Sequence, residues 1–215
     1  MHLLPLLATL ATLTTALPST SLLPRQSTTT RICNPTTSLC HIQLSPGSPD
    51  KPLFRIALPD TPSPPYDIIL EIVSPTSLTW TGFAWGGKML RNPLTVVWPN
   101  GDDVMVSSRW TTFYGLPRAY PSATYKTLRS SRNGTHWSVE VACSGCSQWA
   151  GQQQLNDTQQ FGWVSSTRTP GVPSPANVNS PLYVHTSTGQ WPVQLLEARN
   201  AAGVLQEYVK AAGGE

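Results

Sequence analysis

A thioether and an imidazole, far apart in the chain, are the side chains with the clearest capacity for chemistry. Met89 closes the run Gly82-Phe83-Ala84-Trp85-Gly86-Gly87-Lys88-Met89, and Asn92-Pro93-Leu94-Thr95-Val96-Val97-Trp98 follows. The methionine thus sits just after the pair Gly86-Gly87, between two apolar, aromatic-rich stretches. Glycine has no Cβ, so the backbone there can run close to a flat ligand. Methionine sulfur is a soft donor able to ligate haem iron. His185, in Leu182-Tyr183-Val184-His185-Thr186, offers an imidazole for the opposite side.

Elimination favours the same two residues. Met1 and His2 lie at the extreme amino end, and Met105 falls inside a strand between Val104 and Val106. His41 adjoins Cys40, and His136 adjoins the acceptor sequence Asn133-Gly134-Thr135. A covalent c-type attachment needs C-x-x-C-H, whereas Cys146 is followed by Ser147, so any haem is held without thioether links. Other chemistries find no footing. The chain has no nucleophile elbow, no H-E-x-x-H and no phosphate-binding loop, and its carboxylates are scattered. A copper site built on an amino-terminal histidine fails too: cleavage near residue 17 or 25 leaves Leu17, Pro18 or Gln26 in front.

The surrounding chain has the composition of a secreted domain. Residues 1–17 read as a signal peptide, too short and too broken by Thr and Pro to span a bilayer. Residues 18–32, rich in Ser, Thr and Pro, read as a leader or processed segment, with Pro24-Arg25 as a second processing point. No membrane partner is expected. Lys plus Arg number 14 and Asp plus Glu 11; without Arg25 this becomes 13 against 11. With that near-neutral balance and no basic run, nothing suggests a nucleic-acid partner, and none is expected. Four cysteines behind a signal peptide favour disulfides, and the short spacings favour Cys33–Cys40 and Cys143–Cys146. A zinc site from the two pairs and a redox role for Cys143-Ser144-Gly145-Cys146 are the rival readings. Asn133 and Asn156 are glycosylation acceptors in polar, turn-like sequence.

Short strands separated by Pro, Gly and Asn carry these residues. The expected strands are Phe54–Leu58, Asp67–Ser74, Leu78–Trp85, Pro93–Trp98, Asp103–Arg109, Tyr120–Leu128, Thr135–Cys143, Gln160–Ser165, Leu182–Thr186 and Gln190–Glu197. Pro99-Asn100-Gly101-Asp102 reads as a hairpin turn. About ten short strands with regular turn signals indicate an all-β sandwich. Leu195, Leu196, Arg199, Ala202 and Leu205 recur at helical spacing, which gives either a short C-terminal helix on the sandwich or a frayed tail over residues 199–215.

Gly82–Trp98, Ser107-Ser108-Arg109-Trp110, the run Cys143–Trp149, and Val184-His185 with Gly189-Gln190-Trp191 together resemble the haem b cytochrome domain of fungal cellobiose dehydrogenases and related secreted iron-reductase domains. The resemblance covers residues 33–198. It implies an immunoglobulin-like β-sandwich, haem b as cofactor, and Met89 and His185 as axial ligands of the iron. It also implies single-electron transfer from a flavin dehydrogenase to a copper polysaccharide monooxygenase or to ferric iron, in an extracellular setting. Trp85 and Trp98 would then flank the haem, Gly86 and Gly87 would let the backbone run close to it, and Arg109 could reach a propionate. Lys88 stands where the family often has a third glycine; it could pair with a propionate, favour the reduced haem or crowd the slot. No flavin domain follows Glu215, so a separate flavin dehydrogenase or other reductant is the expected donor. The chain thus reads as an electron-transfer protein rather than a self-sufficient enzyme. The alternative is a haem-free carbohydrate-binding or adhesion module, with some of the eight tryptophans forming an exposed stacking platform.

Overall fold

The computed structural model describes residues 29–61, 63–150 and 153–213. The expected signal peptide, the leader up to residue 28, and the last two residues of the tail lie outside the described residues.

Two six-stranded antiparallel sheets pack face to face. One contains β1 (Thr29–Cys33), β2 (Cys40–Leu44), β3 (Leu53–Ala57), β4 (Ile68–Pro75), β9 (Thr124–Arg132) and β10 (His136–Ser144), in the order β1-β2-β3-β4-β10-β9. The other contains β5 (Trp80–Ala84), β6 (Leu94–Asn100), β7 (Asp103–Trp110), β8 (Arg118–Ala119), β13 (Thr158–Ser166) and β14 (Ser187–Gln194), in the order β14-β13-β5-β6-β7-β8. A small ribbon pairs β11 (Gln148–Trp149) with β12 (Gln153–Gln154). The chain is an all-β sandwich with one short C-terminal helix, α1 (Val204–Ala211).

Alternation along the strands explains the layering. In β10, Trp137, Val139 and Val141 point into the core, while Glu140 points away from it toward α1. The core is aromatic at its centre: Phe83 lies 5.3 Å from Phe54 and 5.0 Å from both Trp85 and Phe161, ring centre to ring centre. Hydrophobic transfer of such side chains is worth about 2–3 kcal/mol each. The hairpin expected at Pro99–Asp102 forms, with Asn100 facing Asp103 and Gly101 at φ +66°.

β5 and β6 depart from alternation. Val97 and Phe83 face the core, yet Trp80, Leu94, Val96 and Trp98 form a second buried apolar cluster on the outer side of the same sheet. Sandwich sheets usually present polar residues there. An apolar outer face needs a cover, and two irregular segments rise over it.

One of these segments corrects an expectation. Leu182–Thr186 is not a strand; β14 begins only at Ser187. The preceding residues leave the sheet, and only Thr186 remains tied to it, its N–H donating to the Ser165 carbonyl at 2.8 Å. At the other end of the chain, residues 29–32, read as part of the leader, form β1 with β2. The single helical stretch suggested from Leu195 onward is two pieces, a 3-10 turn at Leu195–Ala198 and then α1. Gly203, at φ +81°, breaks between them. Leu205 and Tyr208 of α1 are buried against the first sheet, so the tail is docked.

Candidate functional site

A cavity of about 740 Å³ opens on the outer face of the second sheet. Its floor is built by the outward residues of β5, β6 and β13: Trp80, Gly82, Ala84, Leu94, Val96, Gly162 and Val164. Tyr114 to Pro117 cover it from one side, and Leu182 to His185 from another. Its size is that of a site for a substantial organic ligand, and its lining is mostly apolar with a few polar groups, as such sites are.

Met89 and His185 both line this cavity. Met89 is half-buried and packs on the apolar outer cluster. His185 is also half-buried, and burial lowers its imidazole below the ordinary histidine range. The ring is therefore neutral near pH 7, the form with a nitrogen lone pair free to donate. The fold thus brings a thioether and an imidazole to one apolar chamber.

Glycines flatten the floor between them. A Cβ on Gly82 would lie 2.8 Å from a Val164 methyl group, and one on Gly162 would lie 2.6 Å from the Gly87 carbonyl oxygen. Gly87 itself takes φ +82°, a conformation open to glycine at little cost, and its carbonyl accepts a 2.5 Å hydrogen bond from Gln190 Nε2. This turn sets the direction in which Lys88 and Met89 leave β5.

The other residues singled out from the sequence fall in different places. Gly87 and Lys88 line the cavity. Lys88 is exposed and forms no ion pair among the described residues, and no Asp or Glu lies on the cavity wall. Trp85 does not flank the cavity. It follows Thr81 and Phe83 on the core-facing side, is fully buried, and donates its indole N–H to Thr95 Oγ1 at 2.9 Å. Gly86 faces Asn92 in a polar groove beside Trp149 and Gln159 instead. Arg109 does not line the cavity either; it is buried and gives its protons to Ser107 Oγ and to the carbonyls of Pro117, Val178 and Ser180. Burial without a carboxylate partner lowers its pKa.

Trp80 was not singled out from the sequence, yet it is a wall of the cavity and its buried indole N–H has no acceptor. A buried N–H without a partner is costly, and an acceptor atom on a ligand in the cavity could satisfy it. The signal in the sequence was β6, where Leu94, Val96 and Trp98 place apolar residues on the face opposite Val97.

Both expected disulfides form, Cys33 with Cys40 and Cys143 with Cys146. The zinc reading has no support, since no cluster of three or more His, Cys, Asp or Glu side chains occurs among the described residues. Asn133 is exposed in the turn joining β9 and β10, and Asn156 is exposed just before β13. Seven of the eight tryptophans are buried and Trp110 is half-buried, stacked 4.9 Å from Tyr120, so no tryptophan platform faces solvent. No helix among the described residues is long and apolar enough to cross a membrane.

Comparison with known proteins bears on this architecture. A family model for the cytochrome domain of cellobiose dehydrogenase matches residues 32–202. A pyrroloquinoline quinone-dependent pyranose dehydrogenase of Coprinopsis cinerea is 32% identical over 139 residues, 63% of this chain and 19% of that protein. The match thus spans about a fifth of the curated relative's length. Among solved structures, the cytochrome b domain of pyranose dehydrogenase from Coprinopsis cinerea superposes with a TM-score of 0.75 at 25% identity, over 86% of this chain and 95% of that one. The cytochrome domain of Myriococcum thermophilum cellobiose dehydrogenase shares the fold, with a TM-score of 0.75 at 24% identity over 87% and 97% of the two chains.

Proposed function

The chain belongs to the family of cellobiose dehydrogenase cytochrome domains, and from that premise we propose that it is a secreted cytochrome of b type that carries single electrons. The observation that carries this reading is the meeting of Met89 and His185 on one apolar cavity. The cavity suits a flat macrocycle. Gly82 and Gly162 leave part of its floor without side chains, and Trp80, Leu94, Val96 and Val164 supply apolar contact.

Haem held here supplies a one-electron ferric–ferrous couple. The Met89 sulfur and a ring nitrogen of His185 would hold the iron. A methionine ligand favours the reduced state relative to a second nitrogen ligand. Held by both side chains, the metal would have no position open to substrate, which would suit electron transfer. The unpartnered Trp80 N–H and the Lys88 ammonium are among the donors on the cavity wall that acidic groups on the macrocycle edge could use.

A dehydrogenase is the electron donor in this reading, in line with the pyranose dehydrogenase relative. The acceptor is a copper polysaccharide monooxygenase or ferric iron. The leader pattern in residues 1–17 and two disulfides support an extracellular site of action, with glycans on Asn133 and Asn156. Absorption spectroscopy of the protein supplied with haem tests the core of this. A Soret band that sharpens and shifts on dithionite addition is the expected result; protein that stays colourless after haem addition would overturn the reading.

A further inference from the structure

Arg109 lies under the two segments that roof the cavity. It is 2% exposed and faces no carboxylate. Its Nη1 donates to the Pro117 carbonyl at 3.2 Å, at the end of the Tyr114–Pro117 cover. Its Nη2 donates to the carbonyls of Val178 and Ser180, both at 2.8 Å. Its Nε donates to Ser107 Oγ at 2.6 Å, and that hydroxyl in turn donates to the Val178 carbonyl at 2.7 Å. A buried guanidinium is tolerated only when its donors are satisfied, and here neutral acceptors from two separate loops do so.

The second loop leads directly to the imidazole. Ser180 is fully buried, and its hydroxyl accepts from the Ser174 N–H at 3.0 Å. Residues 181–185 then cross the cavity without regular hydrogen bonding until Thr186 rejoins β13 through the Ser165 carbonyl at 2.8 Å. The crossing segment is therefore pinned at its two ends, by Arg109 behind Ser180 and by β13 at Thr186.

We propose that Arg109 is a positioning residue: by binding the Val178, Ser180 and Pro117 carbonyls it fixes the segment bearing His185 and so sets how firmly that imidazole holds an iron. This rests on the haem reading above. A lysine cannot replace it, because one ammonium cannot span carbonyls on two loops as a planar fork can.

The test compares haem-loaded wild type with Arg109→Met, Arg109→Lys and His185→Ala. Ferric spectra report axial ligation, and titration with imidazole reports whether a ligand position has opened. Wild type is expected to be low-spin and to resist imidazole. His185→Ala is expected to lose the low-spin spectrum and regain it with added imidazole. Both Arg109 variants are expected to shift toward the high-spin form and to bind imidazole about tenfold more tightly than wild type, the scale on which supporting partners act on metal ligands. If His185→Ala keeps the wild-type spectrum, the ligand assignment itself is wrong. If His185→Ala changes but folded Arg109→Lys, or Arg109→Met, melts earlier with wild-type spectrum and imidazole resistance, Arg109 is merely structural and the inference is overturned. Arg109→Lys keeps the charge, so it decides the matter where the methionine variant does not fold.

Discussion

Gly162 in β13 lies so close beneath Gly87 that a Cβ added to it would sit 2.6 Å from the Gly87 carbonyl oxygen. That contact seats the Gly86-Gly87 turn on the sheet and fixes the exit toward Met89. The opposing atom is backbone, so it cannot swing aside as a side chain would. Gly162→Val is expected to push the turn outward, destabilise the fold by about 1–3 kcal/mol as overpacking does, and weaken haem retention more than it lowers the melting temperature of haem-free protein. Parallel melts with and without haem check this.

Lys88 contributes an unpaired positive charge at the cavity wall. Ferric haem carries one more positive charge than ferrous haem, so a nearby cation disfavours oxidation. Lys88→Gln is expected to lower the reduction potential, and Lys88→Glu to lower it further. The effect is on the order of 1 kcal/mol for each unit of charge changed, the size of a unit-charge interaction in a watery setting, and shrinks with added salt. Potentiometric titration at two ionic strengths measures it; an unchanged potential in Lys88→Glu would place the ammonium too far from the iron to matter.

α1 is latched to the first sheet by a hydrogen bond from the Tyr208 hydroxyl to Glu140 Oε2 at 2.7 Å. Burial pushes the Glu140 carboxyl up, but His41, Tyr208 and Arg129 together more than offset it, so its pKa lies below the usual range. A carboxyl lowered by folding stabilises the native state above its unfolded pKa, and that contribution fades as pH falls through the lowered folded value. Docking of α1 is therefore expected to weaken in acid, in the window below the ordinary glutamate pKa. Tyr208→Phe is expected to cost about 1.5–3 kcal/mol, as loss of a hydrogen bond to a charged group does. Glu140→Gln is expected to flatten the acid dependence. Hydrogen exchange of the α1 amides against pH checks both.

The sequence made the sandwich legible because β4, β6, β7, β10 and β13 carry β-branched and aromatic residues between clear turn signals. Met89 and His185 stood out by residue type, and both line the cavity. The errors arose where parity or long-range acceptors decide. Trp85 looked like a cavity wall, but two-residue periodicity sends it to the core with Phe83 while Trp80, Gly82 and Ala84 face outward. Arg109 looked like a ligand for acidic groups, but the carbonyls that engage it come from Val178 and Ser180, far along the chain. Leu182–Thr186 has a strand's composition, yet its first four residues cover the cavity and only Thr186 pairs with the sheet. Propensity cannot anticipate a segment whose partner is a ligand cavity.

Iron-edge X-ray absorption of the haem-loaded protein measures the central claim most directly, because it reports which atoms touch the metal. Wild type is expected to show one sulfur scatterer beside a nitrogen shell, with the sulfur lost in Met89→Leu and the nitrogen shell reduced in His185→Ala. An all-nitrogen shell in wild type, or a sulfur signal that survives in Met89→Leu, would contradict the account.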